Sequence, residues 1–126
     1  MGFSARGAVG DRAERQALRF LKREGLKPVT RNFRSRGGEI DLVMLHGDCL
    51  TFVEVRYRKS TGFALPAPTI DRHKQRKILH TAAMFLARRP RYAHLAMRFD
   101  VVAITGGADG TIEWIQDAFR PVDSAL

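Results

Sequence analysis

The sequence predicts one α/β domain in which helices pack on a mixed β-sheet. Helical and strand-like hydrophobic patterns alternate along the chain in the order α-β-β-β-α-β-β, which is typical of a layered domain. The length of 126 residues fits a single domain, and the hydrophobic content of 44% excludes wholesale disorder. We therefore assign residues 1–126 to one domain, with flexible ends at 1–9 and 121–126.

The first half of the chain contains one predicted helix and three predicted strands. Ala13, Ala17 and Leu21 recur at helical spacing, and Gly25 is a plausible helix stop. Paired glycines after the first strand indicate a turn, and Gly47 favours a second turn between two apolar strands. The predicted helix spans residues 10–25, and the predicted strands span residues 29–33, 39–45 and 50–57.

The second half is predicted to form a second helix and two further strands. Thr69 is a possible N-cap, and Ile78, Ala82 and Phe85 recur on one face of the helix that follows it. A loop precedes this helix, and a glycine-containing turn separates the last two strands. The predicted bounds are 60–69 for the loop, 69–88 for the helix, and 97–105 and 111–115 for the strands.

The composition excludes several classes of protein. No apolar run approaches the ~20 residues of a membrane span, so we expect no membrane partner. The start of the sequence lacks the apolar stretch of a signal peptide, and a single Cys excludes a disulfide framework or a Cys-rich zinc site. We therefore expect a cytoplasmic protein.

The basic charge is divided into two blocks. The formal net charge is +9, from 22 basic and 13 acidic side chains. Residues 1–38 carry a net +7 and residues 56–98 a net +10, whereas residues 39–55 contain no Lys or Arg and carry −4. Seventeen of the 22 basic residues are Arg, whose planar guanidinium suits phosphate oxygens. The pattern favours a nucleic-acid partner; the alternative is a genome-wide Arg bias on an ordinary solvated surface.

Two carboxylates lie within the acidic, apolar-rich segment. Asp41 lies inside the second predicted strand and Glu54 inside the third, where an uncompensated charge is costly. If the strands bring them together, they can hold a hard divalent cation such as Mg²⁺, which typically takes one or two carboxylates plus phosphate oxygens and water. Arg56 shares a strand face with Glu54 and could meet a phosphate. The alternative is a solvent-facing sheet on which Glu54 and Arg56 form a neighbouring ion pair.

Two further residues are candidates for the same region. Glu14 lies at the edge of the first helix's apolar face, and a docked helix could bring it toward the two strand carboxylates. The alternative is an exposed carboxylate that pairs with Arg15 or Arg19. Lys74 precedes Ile78 by one helical turn and could reach the same region, although an exposed lysine is the default there.

Six short motifs, in order along the chain, point to a known family. They are Gly10-x3-Glu14-x2-Ala17, Arg31-Asn32-x-Arg34, Gly38-Glu39-Ile40-Asp41-Leu42, Phe52-Val53-Glu54-Val55-Arg56-x-Arg58, Lys74 and Arg98-Phe99-Asp100-Val101-Val102. Over residues from about 7 to 120, the chain resembles the YraN family of small bacterial proteins. The resemblance implies a restriction-endonuclease-like three-layer fold, with a mixed central sheet flanked by helices, similar to archaeal Holliday junction resolvases.

The resemblance also implies a site built on two strand carboxylates. In that superfamily an acid on one strand is followed by Glu/Asp-x-Lys on the next; Asp41 matches the first acid, Glu54 the second, and Arg56 occupies the lysine position. The implied cofactor is Mg²⁺, with Mn²⁺ as a substitute, held by Asp41, Glu54 and the backbone carbonyl of Val55. Glu14 resembles the extra helix carboxylate of the resolvase-like branch, as a further ligand or to orient water.

Arg56 is the departure from the family pattern. A guanidinium cannot act as a general base, because its pKa exceeds ~12, but it can stabilise charge on a transferring phosphoryl group. Lys59 or Lys74 could replace the missing lysine. The basic residues expected to bind nucleic acid are Arg31, Arg34, Arg36, Arg58, Lys59 and Lys74.

These observations favour a Mg²⁺-dependent nuclease-like protein that acts on DNA phosphodiester bonds, branched DNA included. Its predicted catalytic residues are Glu14, Asp41, Glu54 and Arg56. The alternative is a non-catalytic nucleic-acid-binding protein on the same fold, and a third class is a protein-interaction factor. DNA is favoured over RNA, and a homodimer would suit a symmetric junction.

Overall fold

The computed structural model describes residues 7–59, 69–106 and 110–120 as a sheet between two helices. The elements are helix α1 (Gly7–Arg23), strands β1 (Lys27–Ser35), β2 (Gly38–His46) and β3 (Cys49–Lys59), helix α2 (Arg72–Arg88), a 3₁₀ turn (Pro90–Tyr92), and strands β4 (Ala96–Gly106) and β5 (Thr111–Phe119). The predicted α/β class and element order are confirmed, with the 3₁₀ turn as the one addition in these ranges.

The two helices cover opposite faces of the sheet, and each face has its own apolar core. Ala13, Ala17 and Leu21 of α1 are buried against one face, as their helical spacing predicts. Phe85 of α2 packs against the other face, where its ring meets Phe52 of β3 edge to face at 5.9 Å. This arrangement gives three layers: helix, sheet and helix.

The sheet is mixed, in the order β1-β2-β3-β4-β5. Three neighbouring pairs are antiparallel, and β3 with β4 is parallel. The parallel register is long, from Cys49 beside Ala96 to Lys59 beside Gly106. Because parallel strands cannot be joined by a tight turn, the chain crosses over through α2, which places the start of α2 near the middle of the sheet.

The start of α2 differs from the prediction. Its N-cap is Asp71, whose Oδ1 accepts a hydrogen bond from the Lys74 backbone N–H at 2.8 Å, so the predicted cap at Thr69 is wrong. Both residue types cap helices well. Ile70 decides between them because it is buried in the α2-side core, so the chain enters that core before the helix begins.

Other bounds of the predicted elements shift as well. α1 begins at Gly7, inside the predicted flexible end 1–9, and it stops before Gly25, whose φ of +98° suits glycine. β5 continues past the predicted end at residue 115 to Phe119, whose ring stacks on Phe99 at 5.0 Å. Most of the predicted loop 60–69 lies outside the described residues. Within the described ranges, neither helix is long and apolar enough to cross a membrane.

Candidate functional site at the divergence of β2 and β3

β2 and β3 pair near their turn and then part. Among the described residues, their register ends at the pair formed by Leu42 and Val53. Beyond that point β2 continues to pair with β1, and β3 continues to pair with β4. Asp41 and Glu54 are the next residues on the two strands, so the two predicted carboxylates lie where the strands diverge.

Asp41 is fully buried at this divergence. Its Oδ2 accepts a hydrogen bond from the backbone N–H of Val55 at 2.8 Å. The carboxylate thus takes the place of a backbone acceptor that β2 no longer supplies to β3, which compensates part of the cost of burying it. The same contact fixes the orientation of the Asp41 side chain relative to β3.

Glu54 is bound by two cations from the predicted set. Its Oε2 contacts the Nζ of Lys74, which reaches down from the first turn of α2, and lies 3.8 Å from the Nε of Arg56. Glu54 is only 7% exposed, so the predicted alternative of a solvent-facing ion pair is wrong about the environment, although the pair with Arg56 exists. Arg56 Nε is itself buried and has no hydrogen-bond partner in the described parts of the chain.

Glu14 is buried as well, which excludes the alternative of an exposed helix carboxylate. Its Oε1 accepts a hydrogen bond from Asn32 Nδ2 at 2.9 Å, and Arg31 approaches the same oxygen at 3.5 Å. Asn32 has a positive φ of 51° and falls opposite Asp41 in the β1–β2 register. Glu14 is therefore held by the β1 residue that lies opposite Asp41.

Over the described ranges, no three His, Cys, Asp or Glu side chains form a group that could hold a metal ion. Glu14, Asp41 and Glu54 therefore do not form a three-carboxylate cluster, and a role for Glu14 as a ligand stays a prediction. A smaller donor set, Asp41, Glu54 and the Val55 carbonyl, still fits Mg²⁺, which often takes one or two carboxylates and keeps several waters. Glu54 already carries one cation of the chain, the ammonium of Lys74.

The remaining predicted basic residues lie on β1, in the β1–β2 turn and at the end of β3. Arg34 pairs with Glu39 at 3.2 Å on the arm formed by β1 and β2. Arg36 is exposed in the turn that joins those strands, and Arg58 and Lys59 follow Arg56 toward the end of β3. They are separate from the two cations at Glu54.

Sequence reasoning missed the role of Asn32. Asn tolerates the left-handed backbone region better than most residues, and here that conformation turns its amide toward Glu14. An Asn inside a predicted strand, next to an Arg, is the only local signal of this contact. The partner on α1 is 18 positions away and follows from tertiary packing.

A fourth buried carboxylate among the described residues, Asp100, lies on β4 beside Val53 in the parallel register. Asp100 accepts hydrogen bonds at 2.9 Å from Arg98 through both carboxylate oxygens, from the Trp114 indole and from the Asp117 backbone N–H. The hydrogen bond to Asp100 raises the pKa of Arg98 above its ordinary value. Since the β4–β5 register shifts beside Asp100, this network holds an irregular strand pair and is structural.

Comparison with known proteins gives a consistent result. Residues 13–104 match the family described as Uncharacterised protein family UPF0102. The chain is 46% identical to a UPF0102 protein of Pseudomonas putida strain W619 over 115 residues, which cover 90% of this chain and 94% of that protein. It is 48% identical to a UPF0102 protein of Saccharophagus degradans strain 2-40 over 111 residues, which cover 88% and 92%.

Proposed function

The chain belongs to the UPF0102 (YraN) family, and on that premise we propose that it is a metal-dependent nuclease-like protein acting on DNA phosphodiester bonds. The observation that carries the proposal is the pair of buried carboxylates, Asp41 and Glu54, at the divergence of two strands. Burial of an acid is costly unless partners compensate it, and both acids have such partners here. Buried ionisable groups are often found at functional sites, which makes this pair a candidate for chemistry at a phosphate or metal.

The fold proposed with this function is restriction-endonuclease-like. Its support is the three-layer arrangement of a five-stranded mixed sheet between two helices. The position of the acids on the strands adds to it, because the first lies on β2 and the second, followed by a cation two residues later, lies on β3. This is the order that the family resemblance implies.

The proposed metal ligands are Asp41, Glu54 and the carbonyl of Val55. A bound Mg²⁺ or Mn²⁺ would polarise the scissile phosphate and lower the pKa of a coordinated water. The first contribution of the chain's own residues is to orient the carboxylate ligand. The Val55 N–H fixes the Asp41 carboxylate, and Val55 is at once the hydrogen-bond donor and the residue that supplies the carbonyl.

The two cations at Glu54 have separate proposed roles. Arg56, whose side chain is 36% exposed, donates from the accessible part of its guanidinium to an oxygen of the phosphoryl group as negative charge develops there. Lys74 reaches Glu54 from α2 and replaces the lysine that the family pattern places at position 56. It supplies a positive charge beside the carboxylate and holds α2 over the site.

A second candidate function is non-catalytic binding of nucleic acid on the same fold. The observation that favours it is the contact between Lys74 and Glu54, with Arg56 close by. Two cations beside one carboxylate balance the charge of the acidic centre without a metal ion. In that case the basic residues bind phosphates and no bond is broken.

The test is a cleavage screen with the full chain on linear, nicked and branched DNA, with Mg²⁺, with Mn²⁺ and with EDTA. We expect metal-dependent cleavage that Asp41→Ala and Glu54→Gln abolish, and that Arg56→Lys retains. Asp48→Asn is the matched control, because Asp48 is an exposed acid in the β2–β3 turn. Binding without cleavage on every substrate would support the second function, and equal cleavage by Asp41→Ala would overturn the first.

A further inference from the structure

We propose that the outer face of α2 and the turn between β1 and β2 form one surface that binds the phosphate backbone of duplex DNA. The proposal rests on the proposed function and names where on the molecule the nucleic acid lies. We call it the α2–turn surface. Its basic residues are Arg36, Arg72, Arg76, Lys77, His80 and Arg88, all of which are exposed.

The turn is docked on α2, so its cation adds to those of the helix. The Ser35 hydroxyl donates a hydrogen bond to Thr81 Oγ1 at 3.2 Å. A side chain at Gly37 or Gly38 would bring its Cβ within 3.1 Å of His80 or Thr81, so glycine permits this close approach. The two basic blocks of the sequence, separated by an acidic segment, therefore meet on one face.

A second contact holds the other end of the surface. The guanidinium of Arg88 lies over the ring of Phe33 at 5.3 Å and donates a hydrogen bond to the Arg34 backbone oxygen at 3.5 Å. These contacts restrict the Arg88 side chain before any ligand arrives. A cation that is already restricted loses less conformational entropy when it binds a phosphate.

The surface carries an excess of positive charge, with Asp71 at the N-cap of α2 and Glu39 after the turn as the acids at its edge. α2 contains no Asp or Glu over its 17 residues. Within the described ranges, none of Arg36, Arg76, Lys77 and Arg88 forms an ion pair with a carboxylate. A helix of this length extends about 25 Å, which spans several phosphates of a duplex strand.

The surface also leads to the acidic centre. A groove between the turn and the first turns of α2 is lined by the bases His73, Lys74 and Lys77, by the acids Glu39 and Asp71, and by Gly38 and Ile78. Lys74 belongs to both places, because its ammonium binds Glu54. A phosphate backbone on the α2–turn surface therefore reaches the candidate site at this lysine.

The choice of duplex over single-stranded nucleic acid rests on the scarcity of exposed aromatic side chains among the described residues. Binding of single strands without sequence preference relies on exposed aromatic side chains on which bases stack. Tyr57 is the only exposed large aromatic in the described parts of the chain, at 41% exposure. It alternates with Arg56 on β3 and therefore faces away from α2. A cationic surface without an exposed aromatic side chain among the described residues fits the regular backbone of a duplex.

The test compares two double charge reversals that change the net charge by the same amount. Arg76→Glu/Lys77→Glu alters the α2–turn surface, and Arg15→Glu/Arg19→Glu alters exposed arginines of α1, on the opposite face of the sheet. Binding of a labelled 20-base-pair duplex is measured with EDTA present over a range of salt concentrations. We expect the α2 variant to bind at least tenfold more weakly than the α1 variant.

The salt dependence gives a second readout that a folding defect would not mimic. The slope of log affinity against log salt should fall by about 0.9 for each duplex phosphate that is no longer bound, in the α2 variant only. Circular dichroism confirms that both variants fold. Equal weakening of binding in the two variants, or tighter binding of a single strand than of the duplex, would overturn the proposal. Because no metal is present, intact binding by a chain that fails to cleave would leave this proposal standing and contradict only the nuclease function.

Discussion

Asp41 Oδ2 accepts the Val55 N–H at 2.8 Å across the gap where β2 leaves β3. One carboxylate is thus a structural acceptor of the sheet and a candidate metal ligand. Removal of its charge and removal of its hydrogen bond are separate perturbations, and substitutions at Asp41 can distinguish them.

Asp41→Ala should destabilise the protein more than Asp41→Asn. Alanine leaves the buried Val55 N–H without its acceptor, at a cost of about 1.5–3 kcal/mol, whereas the asparagine carbonyl can still accept it. Urea unfolding followed by fluorescence of Trp114, the single Trp, measures both. Equal stability of the two variants would show that this hydrogen bond does not stabilise the divergence. Loss of cleavage in a stable Asp41→Asn protein would assign the charge to the chemistry.

Lys74→Met should lower the free energy of unfolding by about 1 kcal/mol, a value reduced for solvent screening because the Lys74 side chain is 43% exposed. The decrease arises because Glu54, nearly buried, keeps only Arg56 at 3.8 Å as a cationic neighbour. Lys77→Met, three positions further along the helix and exposed, is the stability control and should change little. An equally large decrease in Lys77→Met would argue against a specific contact between Lys74 and Glu54.

The free energy of unfolding of Asn32→Gly should exceed that of Asn32→Ala by about 1 kcal/mol, because only glycine adopts the positive φ of 51° without a steric cost. Both variants lack the hydrogen bond to the buried Glu14 carboxylate, which contributes about 1.5–3 kcal/mol. Chemical denaturation of the two variants beside wild type measures the difference. If alanine were as stable as glycine at this position, the left-handed backbone would not be a constraint.

Asp100→Asn should lower the free energy of unfolding by about 3 kcal/mol, because it leaves Arg98, whose side chain is 18% exposed, without its bidentate carboxylate. The Trp114 indole donates to the same carboxylate, so its fluorescence should report the change directly. Asp117→Asn is the control, since its pair with Arg120 is a surface pair worth at most about 1 kcal/mol. Similar destabilisation of the two variants would contradict a structural role for the network.

The sequence was sufficient to predict the order of elements and the two acids. Both depend on local patterns: Ala13, Ala17 and Leu21 repeat with the helical period, and Asp41 and Glu54 interrupt apolar strands. Each of these patterns lies within a single element, so it can be recognised without knowledge of the rest of the fold.

The partners of those acids could not be predicted with the same security. Glu14 meets Asn32, and Glu54 meets Lys74, through packing between elements that are distant in the sequence. The N-cap at Asp71 was missed because burial of Ile70, which delays the helix, is a tertiary effect. Several residues suit each of these roles by local preference, and packing of the core determines which of them is used.

The parallel pairing of β3 with β4 has a consequence for the order of assembly during synthesis. β3 gains its second neighbour only after α2 and β4, up to Gly106, have left the ribosome, because the partner strand is supplied by the crossover. Such non-local pairing forms late and slowly compared with a hairpin. Lys74 arrives on the same crossover, so the nascent chain presents Glu54 and Arg56 before the second cation of Glu54. We therefore expect the contact between Lys74 and Glu54 to form late in the folding of this domain, after β4 is available.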